Sequence, residues 1–246
     1  MPPLDAPIVD SFPEHADLAA DPARRKITIG DALTMSLGVE WDEDAEGEAN
    51  SERQMERVAD IARFVLERPI VAEPGTTWAY NGAATSLLAR VIARGTGMSV
   101  TDFGKERLFG PLGITDVEWV TDYYGVEWAN SGLRLRSRDL ARVGQMVLDG
   151  GRWNGTQVVP ADWITASIRP SIAAGDMGCS YGYQWWLCET TSGIAVVEGS
   201  GRGGQELVIL PSERLVFAAT GGDYRNPDAW EASWRILEEA VLPSLK

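Results

Sequence analysis

Two segments of this chain carry side chains and backbone suited to acyl chemistry. Trp78-Ala79-Tyr80-Asn81-Gly82 sets a phenol where an extended segment is predicted to meet a helix N-terminus. Backbone N–H groups and the helix dipole there can lower a pKa and stabilise an anion. Gly199-Ser200-Gly201-Arg202-Gly203-Gly204-Gln205 lies between two predicted strands. Glycines at a strand edge let a substrate approach backbone N–H groups, as an oxyanion hole requires, with Arg202 available for a carboxylate. The competing readings are a tyrosine packed for structure and a plain β-turn.

The usual ways to activate a serine are missing from these residues. The single histidine, His15, lies in a proline-rich leading segment and reads as a surface residue, so a Ser-His-Asp triad has no evident base. Ser200 has Glu198 where a nucleophile elbow needs its first glycine. A lysine one helical turn after the serine would serve instead, because both side chains then share a helix face. The residues three before Lys26, Lys105 and Lys246 are Ala23, Asp102 and Pro243, so no Ser-x-x-Lys occurs in the sequence. With no base placed by sequence to activate it, Ser200 is a poor nucleophile candidate.

The elements that must position these segments follow from periodicity. Pro2, Pro3, Pro7, Pro13 and Pro22 make the first 26 residues extended and turn-rich. A short helix fits Asp31 to Leu37, closed by Gly38. Ser51-Glu52-Arg53-Gln54 reads as a capping box opening one helix through Met55, Val58, Ala62 and Val65 to the stop at Pro69. A helix from near Asn81 to Gly95 carries Ala84, Leu87, Leu88, Val91 and Ile92, and a shorter one spans Thr101 to Phe109. Another begins at Ser137 and ends at Gly150-Gly151, and Pro160 opens a further one. From Tyr181 the pattern changes to short apolar runs, Tyr181 to Leu187, Ile194 to Val197, Glu206 to Leu210 and Leu215 to Thr220, an antiparallel meander. Trp230, Trp234, Leu237 and Val241 form a closing amphipathic helix over one sheet face. The fold class is α+β: one domain over 1–246, with a mainly helical lobe at 31–180 and strands plus closing helix at 181–246.

Composition narrows the partners. The chain has 246 residues, 44% of them hydrophobic, enough for a substantial core. Thirty-six acidic against 22 basic residues give a net charge of -14, which disfavours nucleic acid and anionic lipid surfaces. The acidic run from Glu40 to Glu48 reads as a solvated loop, since it has neither His nor Cys nor calcium-loop spacing; no metal or other cofactor is expected. Cys179 and Cys188 flank an apolar run read as one strand, which would hold them roughly 30 Å apart, far beyond the ~7 Å that a disulfide tolerates. Free thiols are therefore expected. The opening residues lack a basic and apolar leader, and no 18-residue apolar stretch follows, so a cytoplasmic, non-membrane location is expected.

In order and surroundings these segments resemble the β-lactamase and penicillin-binding serine hydrolase superfamily, in its class C-like branch of esterases and amide-dimer hydrolases. The matches run from Ile27-Thr28-Ile29-Gly30-Asp31-Ala32-Leu33-Thr34-Met35-Ser36-Leu37-Gly38 through Pro74-Gly75-Thr76-Thr77-Trp78-Ala79-Tyr80 and Leu108-Phe109-Gly110-Pro111-Leu112-Gly113-Ile114. They continue with Ser131-Gly132-Leu133-Arg134-Leu135-Arg136-Ser137-Arg138-Asp139-Leu140, Tyr181-Gly182-Tyr183-Gln184-Trp185-Trp186 and Gly203-Gly204-Gln205. The resemblance implies an acyl-enzyme hydrolase of esters, amides or β-lactams. It makes Tyr80 the proton relay and Gly82, Ser200, Gly201, Arg202 and Gly203 substrate contacts. Gly82 stands where the family's Tyr-x-Asn motif has Asn, and the third motif is only loosely matched by Ser200-Gly201 or Arg202-Gly203. The Ser-x-x-Lys helix belongs upstream of Met1, together with two strands and a core helix. The sequence thus reads as an N-terminally incomplete hydrolase, inactive alone, that self-associates or needs a complementing segment because Leu215 to Thr220 becomes an exposed edge. The alternative is a non-catalytic descendant binding a small-molecule or peptide-like ligand between Tyr80 and Arg202.

Overall fold

The computed structural model describes residues 2–245. The chain forms two interleaved compact units: Met1–Lys105, Trp119–Leu133 and Ser171–Met177 in the first, and Glu106–Glu118, Arg134–Pro170 and Gly178–Lys246 in the second.

The first unit is helical. Its proline-rich leading segment is not merely extended: short 3-10 turns at Ile8–Ser11 and Pro13–His15 drive Ile8, Val9 and Phe12 into the core, all fully buried. His15 is buried as well, stacked on Phe12 with Nε2 3.2 Å from Asp60 Oδ2, so the expectation of a surface histidine fails. Helix α1 (Ile29–Leu33) starts earlier than its apolar spacing suggests, because Thr28 and Asp31 form a reciprocal capping box. It ends at Leu33, with Met35 at a positive φ of 56°.

The single helix expected from Ser51 to Pro69 is two: α2 (Ser51–Met55) and α3 (Ile61–Leu66). Asn50, not Ser51, caps α2 by accepting the Arg53 N–H. The Ser51 hydroxyl is used elsewhere, accepting from Asp42 N at 3.0 Å and Arg68 Nη2 at 3.1 Å. Asp60 then caps α3 through Arg63 N, so an N-cap interrupts what periodicity alone joins. The central helix α4 (Gly82–Thr96) buries Ala83, Ala84, Leu87 and Val91. Asn81 caps it by accepting Ala84 N, and Gly97 ends it in the left-handed region, two residues beyond the expected Gly95. Helix α5 (Val100–Gly104) follows.

The second unit contains α6 (Ser137–Leu148), α7 (Ala161–Ser167) and the strands β1 (Ser180–Tyr181), β2 (Trp186–Glu189), β3 (Ala195–Gly201), β4 (Gln205–Leu210) and β5 (Leu215–Ala219). These five strands run antiparallel in the order β5-β4-β3-β2-β1. Leu207, Ile209 and Val216 point towards α6, where Gly144 lets the helix lie so close that a Cβ would meet Val216 Cγ1 at 2.6 Å. On the other face Val196, Val208 and Leu210 pack against Leu237, which follows α8 (Trp230–Arg235) in the continuing helical turn Ile236–Val241. The closing helix thus covers one face, as its apolar stripe requires. Strand β5 ends this row, and its residues are half-buried.

The run Tyr181 to Leu187 is a hairpin and not one strand. Gly182 N donates to Trp185 O, Gln184 takes a positive φ of 63°, and Ser180 pairs with Leu187. Cys179 and Cys188 are therefore cross-strand neighbours, 4.5 Å apart at Cα and joined in a disulfide; the expectation of free thiols is overturned because the chain reverses between them. Among the described residues no helix is long and apolar enough to cross a membrane.

Candidate active site

In the first unit Tyr80 sits one residue before the cap of α4, as the sequence indicates, and its ring lies 6.3 Å from that of Trp78. Gly82 is the first residue of the helix. Its N–H donates to Glu43 Oε1 at 2.5 Å, and Trp41 Nε1 donates to the same oxygen at 2.8 Å. Glu43 comes from the acidic run expected to be solvated; that reading fails for this residue, which is half-buried on the helix N-terminus. Burial pushes its carboxyl above the usual glutamate range, against the opposing effect of the two hydrogen bonds.

A second carboxylate belongs to the same corner. Glu52 Oε1 accepts from Asn130 Nδ2 at 2.7 Å, and the buried Ser86 hydroxyl reaches Asn130 Oδ1 at 3.5 Å. The lack of a side chain at position 82 is used: a Cβ there would stand 3.1 Å from both Glu43 Oε1 and Asn130 Nδ2.

These surroundings reverse the expectation for the phenol. Tyr80 is 42% exposed, yet its hydroxyl is pushed up to about 12, first by loss of water and then by the charges of Glu43 and Glu52. The Tyr80 hydroxyl therefore keeps its proton at neutral pH. A cation beside it would screen both carboxylates and make the proton easier to release. Sequence reasoning missed Glu43, Glu52 and Asn130, since each depends on contacts made across 39 residues or more.

The glycine-rich segment lies in the second unit. Ser200 and Gly201 end β3, and Arg202 and Gly203 turn into β4. The Ser200 hydroxyl donates to Glu206 Oε1 at 2.8 Å, and Arg202 is exposed with no ion pair among the described residues. Gly203 and Gly204 are buried at φ of 86° and 88°, where Cβ atoms would meet the Tyr224 ring and the Ala229 carbonyl. Their glycines serve the close packing of the following loop.

Comparison with known proteins fits this architecture. The chain is 27% identical over 258 residues to 6-aminohexanoate-dimer hydrolase of Paenarthrobacter ureafaciens, covering 96% of this chain and 63% of that protein. It is 30% identical over 159 residues to lovastatin esterase of Penicillium rubens, covering 58% of this chain and 37% of the esterase. A Bacillus anthracis structure assigned as a 6-aminohexanoate-dimer hydrolase superposes with a TM-score of 0.82 at 25% identity, over 98% of this chain and 66% of that one. The chain thus spans less than two thirds of the length of these relatives. The β-lactamase family model matches residues 3–240, and with nearly the whole sequence accounted for in this way, the chain belongs to the β-lactamase family.

Proposed function

We propose that these residues form the proton-relay and substrate-contact part of a β-lactamase-like serine hydrolase that opens an ester or amide bond through an acyl-enzyme. The observation that carries this reading is the place of the Tyr80 phenol, one residue ahead of the Asn81 cap of α4, in a corner that also holds the carboxylates of Glu43 and Glu52. That corner has the chemistry to accept a lysine or another ammonium group. With a neutral lysine amine in place, the attacking hydroxyl gives its proton to that amine as it bonds to the carbonyl carbon, and Tyr80 passes its own proton to the leaving oxygen or nitrogen and regains one from the resulting ammonium. The names of the two relatives, an amide-dimer hydrolase and an esterase, support ester and amide substrates.

The 246 residues contain no Ser-x-x-Lys, so the acylated serine and its lysine come from outside them and these residues alone form no acyl-enzyme. The test is labelling by a fluorophosphonate or a penicillin probe. No label is expected on this chain alone, and label on the added serine is expected when a Ser-x-x-Lys segment from a longer relative is fused ahead of it. Stoichiometric label on the chain alone would overturn the proposal.

A further inference from the structure

The chain has five asparagines, and they differ in whether the side-chain amide is engaged. Asn50 and Asn81 cap helices, accepting the N–H groups of Arg53 and Ala84. Asn130 donates to Glu52 and lies against the Ser86 hydroxyl. Asn226 accepts the Asp228 N–H and is followed by Pro227, which has no backbone N–H. Asn154 is exposed, and its side chain has no hydrogen bond among the described residues. It is followed by Gly155, and the two form the turn between Arg152–Trp153 and Thr156–Gln157, at φ of 47° and 82°. Gly155 is exposed too, a Cβ there would meet nothing within 4 Å, and no group among the described residues accepts its N–H. Asn81-Gly82 is the same dipeptide in the opposite condition. Asn81 is 2% exposed with Oδ1 bound to Ala84 N at 3.2 Å, and the Gly82 N–H is donated to Glu43 Oε1.

We propose that Asn154-Gly155 is a site of spontaneous covalent modification, at which the Asn154 side-chain amide is lost through a cyclic imide. Gly155 N gives its proton to solvent base and bonds to Asn154 Cγ, while the Cγ–Nδ2 bond breaks and Nδ2 leaves as ammonia. Water then opens the ring at one of its carbonyls, leaving an aspartate or an isoaspartate whose main chain runs through Cγ. The net change is amide plus water to carboxylate plus ammonium, so no oxidant, cofactor or second enzyme is needed. Glycine permits the step because it has no side chain to obstruct the approach of its nitrogen to Cγ. The product sets a carboxylate in the concavity lined by Asp149, Arg152 and Arg214, at the C-terminal end of α6. Arg152 donates there to the Gly155 carbonyl and has no ion pair among the described residues, so it is the cation that the new charge meets. An isoaspartate also lengthens the main chain of a turn with no spare residue, which loosens the Trp153–Thr156 pairing.

The experiment needs only the chain itself. It is incubated at pH 8 and 37 °C, folded and in parallel unfolded in urea, and tryptic peptides carrying Asn81 and Asn154 are followed by mass spectrometry for replacement of the amide by a carboxyl. Isoaspartate is counted by methylation with an isoaspartyl methyltransferase, and circular dichroism checks that the folded sample stays folded. The urea sample sets the incubation time, because without structure both Asn-Gly pairs react at comparable rates. In the folded chain Asn154 is expected to react at least about tenfold faster than Asn81, whose reaction waits on opening of the α4 cap. Asn154→Gln keeps an amide but closes its ring far more slowly, and is expected to remove the change from that peptide. Asn154 intact in the folded chain while the urea sample is modified would overturn the proposal, and so would equal rates at the two sites in the folded chain. Neither result depends on whether these residues take part in acyl transfer.

Discussion

Ser200 and Glu206 face each other across β3 and β4, the serine hydroxyl donating to a carboxyl that is fully buried. Glu198 lies on the same face, and its Oε1 accepts from Trp234 Nε1 at 3.1 Å. Burial first, and the neighbouring Glu198 second, push Glu206 up to about 9. Two carboxyls beneath one helix cannot both ionise cheaply, so one proton is kept between them. This arrangement welds the closing helix to the sheet through polar contacts beside the apolar packing of Leu237.

The pH dependence of stability follows from that proton. Glu206 binds it more tightly folded than unfolded, so its contribution is fully present below the ordinary glutamate range near 4.5 and is lost as pH rises towards about 9. Urea unfolding of the wild type between pH 5 and 9 should show stability falling relative to Glu206→Gln, which keeps a neutral group of the same shape. Parallel pH curves for the two proteins would show that Glu206 does not titrate in this way.

In the fused, nucleophile-bearing protein, Tyr80→Phe removes the relay and leaves the ring packed beside Trp78. Acylation by an ester substrate should slow by about 10²- to 10⁴-fold, the usual range for a lost general acid or base. Stopped-flow acylation kinetics would reveal it, and an unchanged rate would remove Tyr80 from the mechanism.

The Cys179–Cys188 bond should be visible as two thiols that resist alkylation until a reductant is added. Replacing both with serine should cost about 3 kcal/mol, the loop-entropy value for a closure of roughly ten residues. Equilibrium denaturation measures it. Rapid alkylation of the untreated protein would contradict the bond.

Because β5 ends the row of strands with an apolar sequence, Leu215-Val216-Phe217-Ala218-Ala219, the chain alone should self-associate. Sedimentation velocity is expected to show mass rising with concentration. One monomeric boundary at all concentrations would mean that the edge is adequately protected.

Helices α4 and α6 and strands β3 to β5 were legible in the sequence, because each has a regular apolar period and glycine or proline at its borders. Tyr80 could also be placed from its local sequence, one step ahead of a capping Asn. The failures share a cause. Asp60 interrupts a period that apolar spacing alone would continue, the aromatic run at Tyr181–Trp186 hides a turn that needs Gln184 in an uncommon conformation, and Glu43 acquires its role only through Gly82. In all three cases the decisive partner is a backbone N–H or a conformation, which residue type does not announce. The same limit explains the tyrosine: its position was local, while its proton affinity is set first by burial and then by two acids brought from elsewhere.

The disulfide also turns the aromatic hairpin into a covalent ring holding Tyr181, Tyr183, Trp185 and Trp186. A protease that nicks the turn between the cysteines would add the mass of one water without separating the two pieces, which would part only after reduction. Damage at this tip is therefore silent on a non-reducing gel, and the flanking strands remain tethered in register for rejoining the sheet.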